Sequence, residues 1–139
     1  MKLNILFLIF YILEMSSQET LNEIMKFFFS FQILNKMYHL STPSYSRHKA
    51  SDKFDKKFQN NIDKFAEVYI GRYNVKPTIK NLNFDLEFIS EDGIVLLYKQ
   101  SRVYLQNMER HLTDTDLLTI RDEILININQ TLYLFNLHS

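Results

Sequence analysis

The chain has 139 residues, 46% of them hydrophobic, and its 16 basic and 16 acidic side chains leave no formal net charge. That length suits one domain with a real core, and the charge balance excludes a bulk electrostatic attraction to nucleic acid or to an anionic membrane. The absence of cysteine excludes disulfide staples, thiolate metal sites and a cysteine nucleophile, so any metal must be held by histidine and carboxylates.

Only 2 Gly and 2 Pro interrupt long unbroken runs, which favours extended helices over the many turns of an all-β fold. Residues 1–15, MKLNILFLIFYILEM, form a hydrophobic N-terminal extension whose apolar run at 5–13 is broken only by Tyr11. That run is too short to span a bilayer as a helix. It has the look of a signal peptide, but the following EMSSQE offers no small-x-small cleavage site. The other reading makes Met15 the working start and residues 1–14 an upstream extension. Ser16-x-x-Glu19 is a capping box, so the folded domain is expected over residues 16–138.

From 21 to 40, apolar residues recur at Leu21, Ile24, Phe27, Phe28, Phe31, Leu34 and Tyr38, a helical stripe. Phe29, Ile33, Met37 and Leu40 form a second stripe on the far side, so two neighbours are needed to bury this first helix. Pro43 breaks it, and Ser44 or Ser46 is free to cap a second helix that runs to about Tyr69 and ends at Gly71. KNLNFDLEFIS alternates with the period of a strand, and with no partner strand in view it reads as an extended crossover lying on the helices. A third helix follows Ser90 and runs to about Leu112, and a fourth follows a turn at 113–115. Two helical hairpins joined by one long central connection are the plan of an all-α, ferritin-like four-helix bundle.

On the second helix, Phe54, Phe58, Ile62, Phe65 and Tyr69 share an arc of about 80° that must face inward. His48, Asp52, Gln59, Asp63, Ala66 and Glu67 share another arc, centred about 125° away. Side chains four apart stack on a helix face, so His48 with Asp52, and Asp63 with Glu67, can each converge on one ion. One imidazole and three carboxylates suit iron, manganese or zinc. A solvated helix face presents the same i, i+4 pairs, and that reading stands beside the metal one. The pairs are 15 residues apart, about 22 Å along a helix, so one chain cannot bring all four to one metal. A two-fold axis crossing the helix near Lys57 and Phe58 would set His48 and Asp52 of one chain opposite Asp63 and Glu67 of another.

The pattern His48-x3-Asp52-x10-Asp63-x3-Glu67, with His39 before it, resembles that of the Dps proteins, starvation-induced mini-ferritins, over about residues 20–138. The resemblance implies a ferroxidase-type centre shared between subunits, with His39, His48, Asp52, Asp63 and Glu67 as ligands of one or two irons. It also implies a homodimer through helix two, with a larger shell in prospect. YHLST at 38–42, SRHKA at 46–50 and DKFAEVYIGRY at 63–73 look closer still to uncharacterised Dps-like proteins of large DNA viruses and phages. The location this implies is cytoplasmic, in host cytoplasm or virion, with secretion less favoured.

Three features depart from Dps. His39 precedes His48 by nine residues, a shorter separation than the family's, and there is neither a Trp nor a basic tail, so DNA binding is not implied. His111 and His138 sit where helix C-termini favour a cation. Glu109 and Glu123 lack the Glu-x-x-His partner of an intrasubunit ferritin site, and the sequon at Asn129 falls in mid-helix. The alternative to an iron-oxidising protein is a non-catalytic ferritin-like oligomer whose metal site is a vestige.

Overall fold

A computed structural model describes residues 15–137 of the protein. The signal-or-extension reading of residues 1–14, and the placement of His138, lie outside the described residues. Ser16 keeps an extended backbone, and its Oγ accepts the amide of Glu19 at 3.1 Å, satisfying one of the first turn's orphan donors. Helix α1 then runs Ser17–Ser41. Helix α2, Tyr45–Tyr73, opens on Ser44, whose Oγ accepts the Arg47 amide at 3.2 Å.

Helix α2 does not stop at Gly71. It continues to Tyr73 and ends at Asn74, whose φ of 52° is left-handed and whose amide bonds the Ile70 carbonyl at 2.8 Å. Asparagine adopts that conformation far more readily than most side chains. The extra turn has partners: Tyr69 and Tyr73 pack at 4.6 Å between ring centroids, and Arg72 reaches Asp114 at 2.8 Å. Such contacts outweigh the roughly 1 kcal/mol that one glycine costs a helix.

The expected extended run is also different. Residues 74–85 carry no regular structure, Leu86–Ile89 is a short 3-10 turn, and there is no strand among the described residues. Alternation makes a strand only when one face is buried and the backbone finds a ladder. Here Phe84 and Leu86 are exposed while Leu82 and Phe88 are half-buried, and the Asp85 carboxylate turns the chain by accepting the Glu87 amide at 3.0 Å.

Helix α3, Glu91–Asn107, is capped by Ser90, whose Oγ accepts the Gly93 amide at 2.9 Å. A Cβ at Gly93 would collide with the carbonyl oxygen of Glu87, so this close approach requires glycine. α3 ends short of the expected Leu112 and passes into a 3-10 turn at Met108–Arg110. The Leu105 carbonyl accepts the Met108 amide as the helix tightens, and the buried Arg121 adds a second donor to it from another helix at 2.9 Å. Helix α4, Thr115–Phe135, follows Asp114, whose carboxylate is engaged by Arg72 and Tyr73 instead of by the helix amides.

Cross-helix bonds define the arrangement. Tyr69 Oη donates to Ser17 O at 2.8 Å, Asn127 Nδ2 to Phe54 O at 3.1 Å, Arg102 Nη1 to Asn129 Oδ1 at 2.9 Å and Tyr38 Oη to Glu91 at 3.0 Å. Their order along each helix makes α1 antiparallel to α2 and α3, and α4 antiparallel to the same two. The α2–α3 connection touches the first turns of α1, where Thr78 bonds Asn22 at 2.8 Å, and Glu91 at its far end meets the last turn of α1. The four helices share one core. At its centre, Phe31 meets Phe54, Phe58 and Tyr98 with centroids 5.0 to 5.1 Å apart. On the second stripe of α1, Phe29 packs against the core, while the described residues leave Ile33 and Met37 37% and 38% exposed and Leu40 73% exposed.

Phe31→Ala should cost about 3–5 kcal/mol, because the ring is fully enclosed and rigid aromatic neighbours cannot collapse into the void. A urea titration measures it, and Phe29→Ala on the outer stripe of α1 should cost far less.

Candidate metal centre

The site starts from a missing donor. The carbonyl of His39 lies in the last turn of α1 and would ordinarily accept the amide four residues on, but that residue is Pro43, which has none. His48, in the first turn of α2, fills the vacancy with Nδ1 at 2.7 Å from His39 O. His39 returns the bond, its Nδ1 lying 2.8 Å from His48 O. The rings stack with centroids 3.9 Å apart and planes 17° from parallel. A carbonyl only accepts, so each Nδ1 carries its proton and donates, and in the neutral rings each Nε2 keeps its lone pair.

Behind His39 runs a buried polar chain. Ser51 Oγ lies 3.3 Å from His39 Nδ1 and donates to His48 O at 3.1 Å. Asn35 Nδ2 donates to Ser51 O at 3.0 Å, and Tyr98 Oη donates to Asn35 Oδ1 at 2.5 Å. Burial pushes the Tyr98 hydroxyl well above its ordinary range, which keeps it a donor. The histidine pair is thus seated on groups whose own bonds are satisfied.

Asp52 stands one turn along α2 from His48, with Oδ2 3.1 Å from Lys56 Nζ. The hydrogen bond from Lys56 holds its carboxyl below the usual value, and the charges of Lys56, His39 and Lys36 act in the same sense. Asp63 and Glu67 are exposed farther along the same helix. One chain therefore brings His39 and His48 together with Asp52 beside them and leaves Asp63 and Glu67 apart. Among the described residues, no group of three histidine, aspartate or glutamate side chains gathers closely enough to hold a metal ion.

The motif did not single out Asp55. Its side chain is only 16% exposed; Oδ1 is buried with no hydrogen-bond partner among the described residues, and Oδ2 is 3.9 Å from Lys36 Nζ. Burial raises its pKa, the nearby Asp52 charge adds to the rise, and Lys36 opposes it. The signal was present as DKFD at 52–55, since Asp55 is seven residues from His48 and shares its stripe. Asn35 is similarly visible in retrospect as a polar residue inside the buried stripe of α1.

The remaining candidates are structural. Glu109 pairs with Arg121 at 3.2 Å, and Glu123 accepts from Asn61 at 2.9 Å. His111 closes the turn after α3, and burial, followed by the Arg110 charge, lowers its pKa. Asn129, in α4, accepts from Arg102 of α3. Among the described residues, no helix is long and apolar enough to cross a membrane.

A protein-family model described as "Family of unknown function (DUF5856)" matches residues 39–135. The chain belongs to that family. Comparison with curated proteins, and with solved structures, finds no match. The DUF5856 match opens on His39 and takes in His48, Asp52, Asp55, Asp63 and Glu67, so it covers the whole candidate centre, while most of α1 precedes it.

Because burial favours the neutral form of Asp55, its folded pKa lies above the ordinary 3.8. The stability it contributes is complete below that value and is lost as the pH rises through the folded pKa. In metal-free buffer, Asp55→Asn should therefore melt above the parent near neutral pH, with the gap closing in acid. Thermal melts across the pH range measure this.

Proposed function

We propose that this DUF5856 protein is a ferritin-like four-helix bundle with one long crossover between α2 and α3, and that two copies pair through α2 to hold iron at two equivalent shared sites. Its activity would be Dps-like, the oxidation of ferrous iron for detoxification or storage. The observation that carries this reading is the reciprocal His39–His48 pair. Metal-ligating histidines commonly donate their second ring N–H to a backbone carbonyl, which fixes tautomer and orientation. Both rings are held in that way, leaving both Nε2 atoms available to a cation.

Asp52 adds a carboxylate that stays ionised. In an antiparallel pair with its axis near Lys57, Asp63 and Glu67 of the second copy would stand opposite His48 and Asp52. Imidazole nitrogen and carboxylate oxygen together fit iron, and the same donors accept manganese or zinc. The uncovered stripe of Ile33, Met37 and Leu40 lies on the helix packed against α2, and pairing would bury it. The bundle itself is supported by the antiparallel neighbours and by a connection that touches both ends of α1.

In the reaction, ferrous iron is the substrate and gives electrons to an oxidant such as peroxide. His39 and His48 bind through Nε2, while Asp52 and Glu67 stabilise the higher charge that develops. Asp63 serves as a ligand or as the acceptor that orients an imidazole.

A second reading has its own observation: Lys56 already neutralises Asp52, and Lys36 lies against Asp55. A face compensated by its own lysines also suits a non-catalytic oligomer, viral in kind, with a vestigial site. Size-exclusion chromatography with and without chelator separates the two, since only a metal-linked dimer weakens on chelation. On the iron reading, Glu67→Ala loses iron in metal analysis and loses ferrous oxidation. Unchanged oxidation in that variant sinks the proposal.

A further inference from the structure

A groove of about 770 Å³ opens between α1, the α2–α3 connection and the end of α3, on a different side of α1 from the histidine pair. Its wall is largely apolar: Phe27 and Tyr104 stack at 4.0 Å between centroids, with Ile24, Leu82 and Met108 around them. Its size and apolar lining are those of recesses that bind apolar groups. Met15, the first described residue, is itself part of the wall.

The chain contains an apolar run in need of cover. Eight of the nine residues at 5–13 are Ile, Leu or Phe, and the ninth is Tyr11. The run is too short to cross a bilayer, and left in water it would be an aggregation-prone surface. Groove and run adjoin one another in sequence, since residue 14 leads directly into the wall at Met15. Even fully stretched, residue 5 stays within about 35 Å of residue 15, so docking demands no linker.

The geometry points to this groove as the docking site for residues 5–13 of the same chain. Covering it places apolar side chains against Phe27 and Tyr104 and leaves the polar rim of Lys26 and Arg110 in water. This inference stands independently of the metal centre, which uses the opposite end of α1 and the outer face of α2.

The native chain has no cysteine, which makes a crosslinking test clean. Asn107, exposed and lining the groove, is changed to Cys and combined in turn with Leu6→Cys, Leu8→Cys and Phe10→Cys in the full chain, with intact mass establishing that residues 1–14 are present. Lys53→Cys, in the cleft between α2 and α4, replaces Asn107→Cys as the control. At least one groove pair should form an intramolecular disulfide about tenfold faster than its control, because a docked segment has a high effective concentration, and the advantage should vanish in urea. Rates equal to the control, or disulfides formed only between chains and lost on dilution, overturn the proposal. In parallel, a chain starting at Met15 and still helical by circular dichroism should bind a hydrophobic dye severalfold more strongly than the full chain. Equal binding also overturns it.

Discussion

Arg47 ties three helices together at one end of the molecule, and the placement of the histidines depends on that knot. From the first turns of α2, its Nη1 donates to the Glu91 carbonyl of α3 at 2.8 Å and its Nε to the Phe135 carbonyl of α4 at 3.3 Å, while the guanidinium lies 5.2 Å over the Phe135 ring. Tyr38 and Thr42 bring in α1, each donating to the Glu91 carboxylate at 3.0 Å. A planar guanidinium with several fixed donors can hold carbonyls from two helices at once, which a lysine could not do with the same geometry. The turn between α1 and α2 is thereby held from both sides.

Within that held turn, one covalent fact propagates. Pro43 has no amide hydrogen, so the His39 carbonyl needs a donor from elsewhere, and the antiparallel return of α2 puts His48 within reach. The reciprocal bond then orients both rings. Ser51, Asn35 and Tyr98 continue the bonding inward, so the site rests on a satisfied network and not on loop side chains free to rotate. The opposite end is fastened differently: Arg72 and Tyr73 both engage Asp114, and that linkage carries α2 beyond Gly71.

The described residues leave two apolar surfaces open, and these differ in kind. The outer stripe of α1 is a convex row of Ile33, Met37 and Leu40, suited to the flat face of another helix. The Phe27–Tyr104 groove is concave and has Met15, the first described residue, in its wall. On the two proposals above, their separation would let one serve association between copies and the other take the N-terminal run.

What was legible in the sequence is what depends on near neighbours. The starts of α1, α2 and α3 were readable because Ser16, Ser44 and Ser90 bond amides three residues on. The inward arc of Phe54, Phe58, Ile62 and Phe65 and the outward spacing of His48, Asp52, Asp63 and Glu67 followed from the helical period alone. The ends of α2 and α3 were not readable, because Asp114 and Arg121, far along the chain, decide them. Nor was the fate of residues 80–90, since alternation is neutral between strand and coil until a partner is present. Asp55, Asn35 and the mutual bond of the two histidines belong to the same class. The sequence by itself determined four helices and a ligand-type spacing, through bonds that close within one or two turns. Only the tertiary structure decided which carbonyls lacked a donor and which side chains supplied one, because a donor from another helix exists only after the helices have packed.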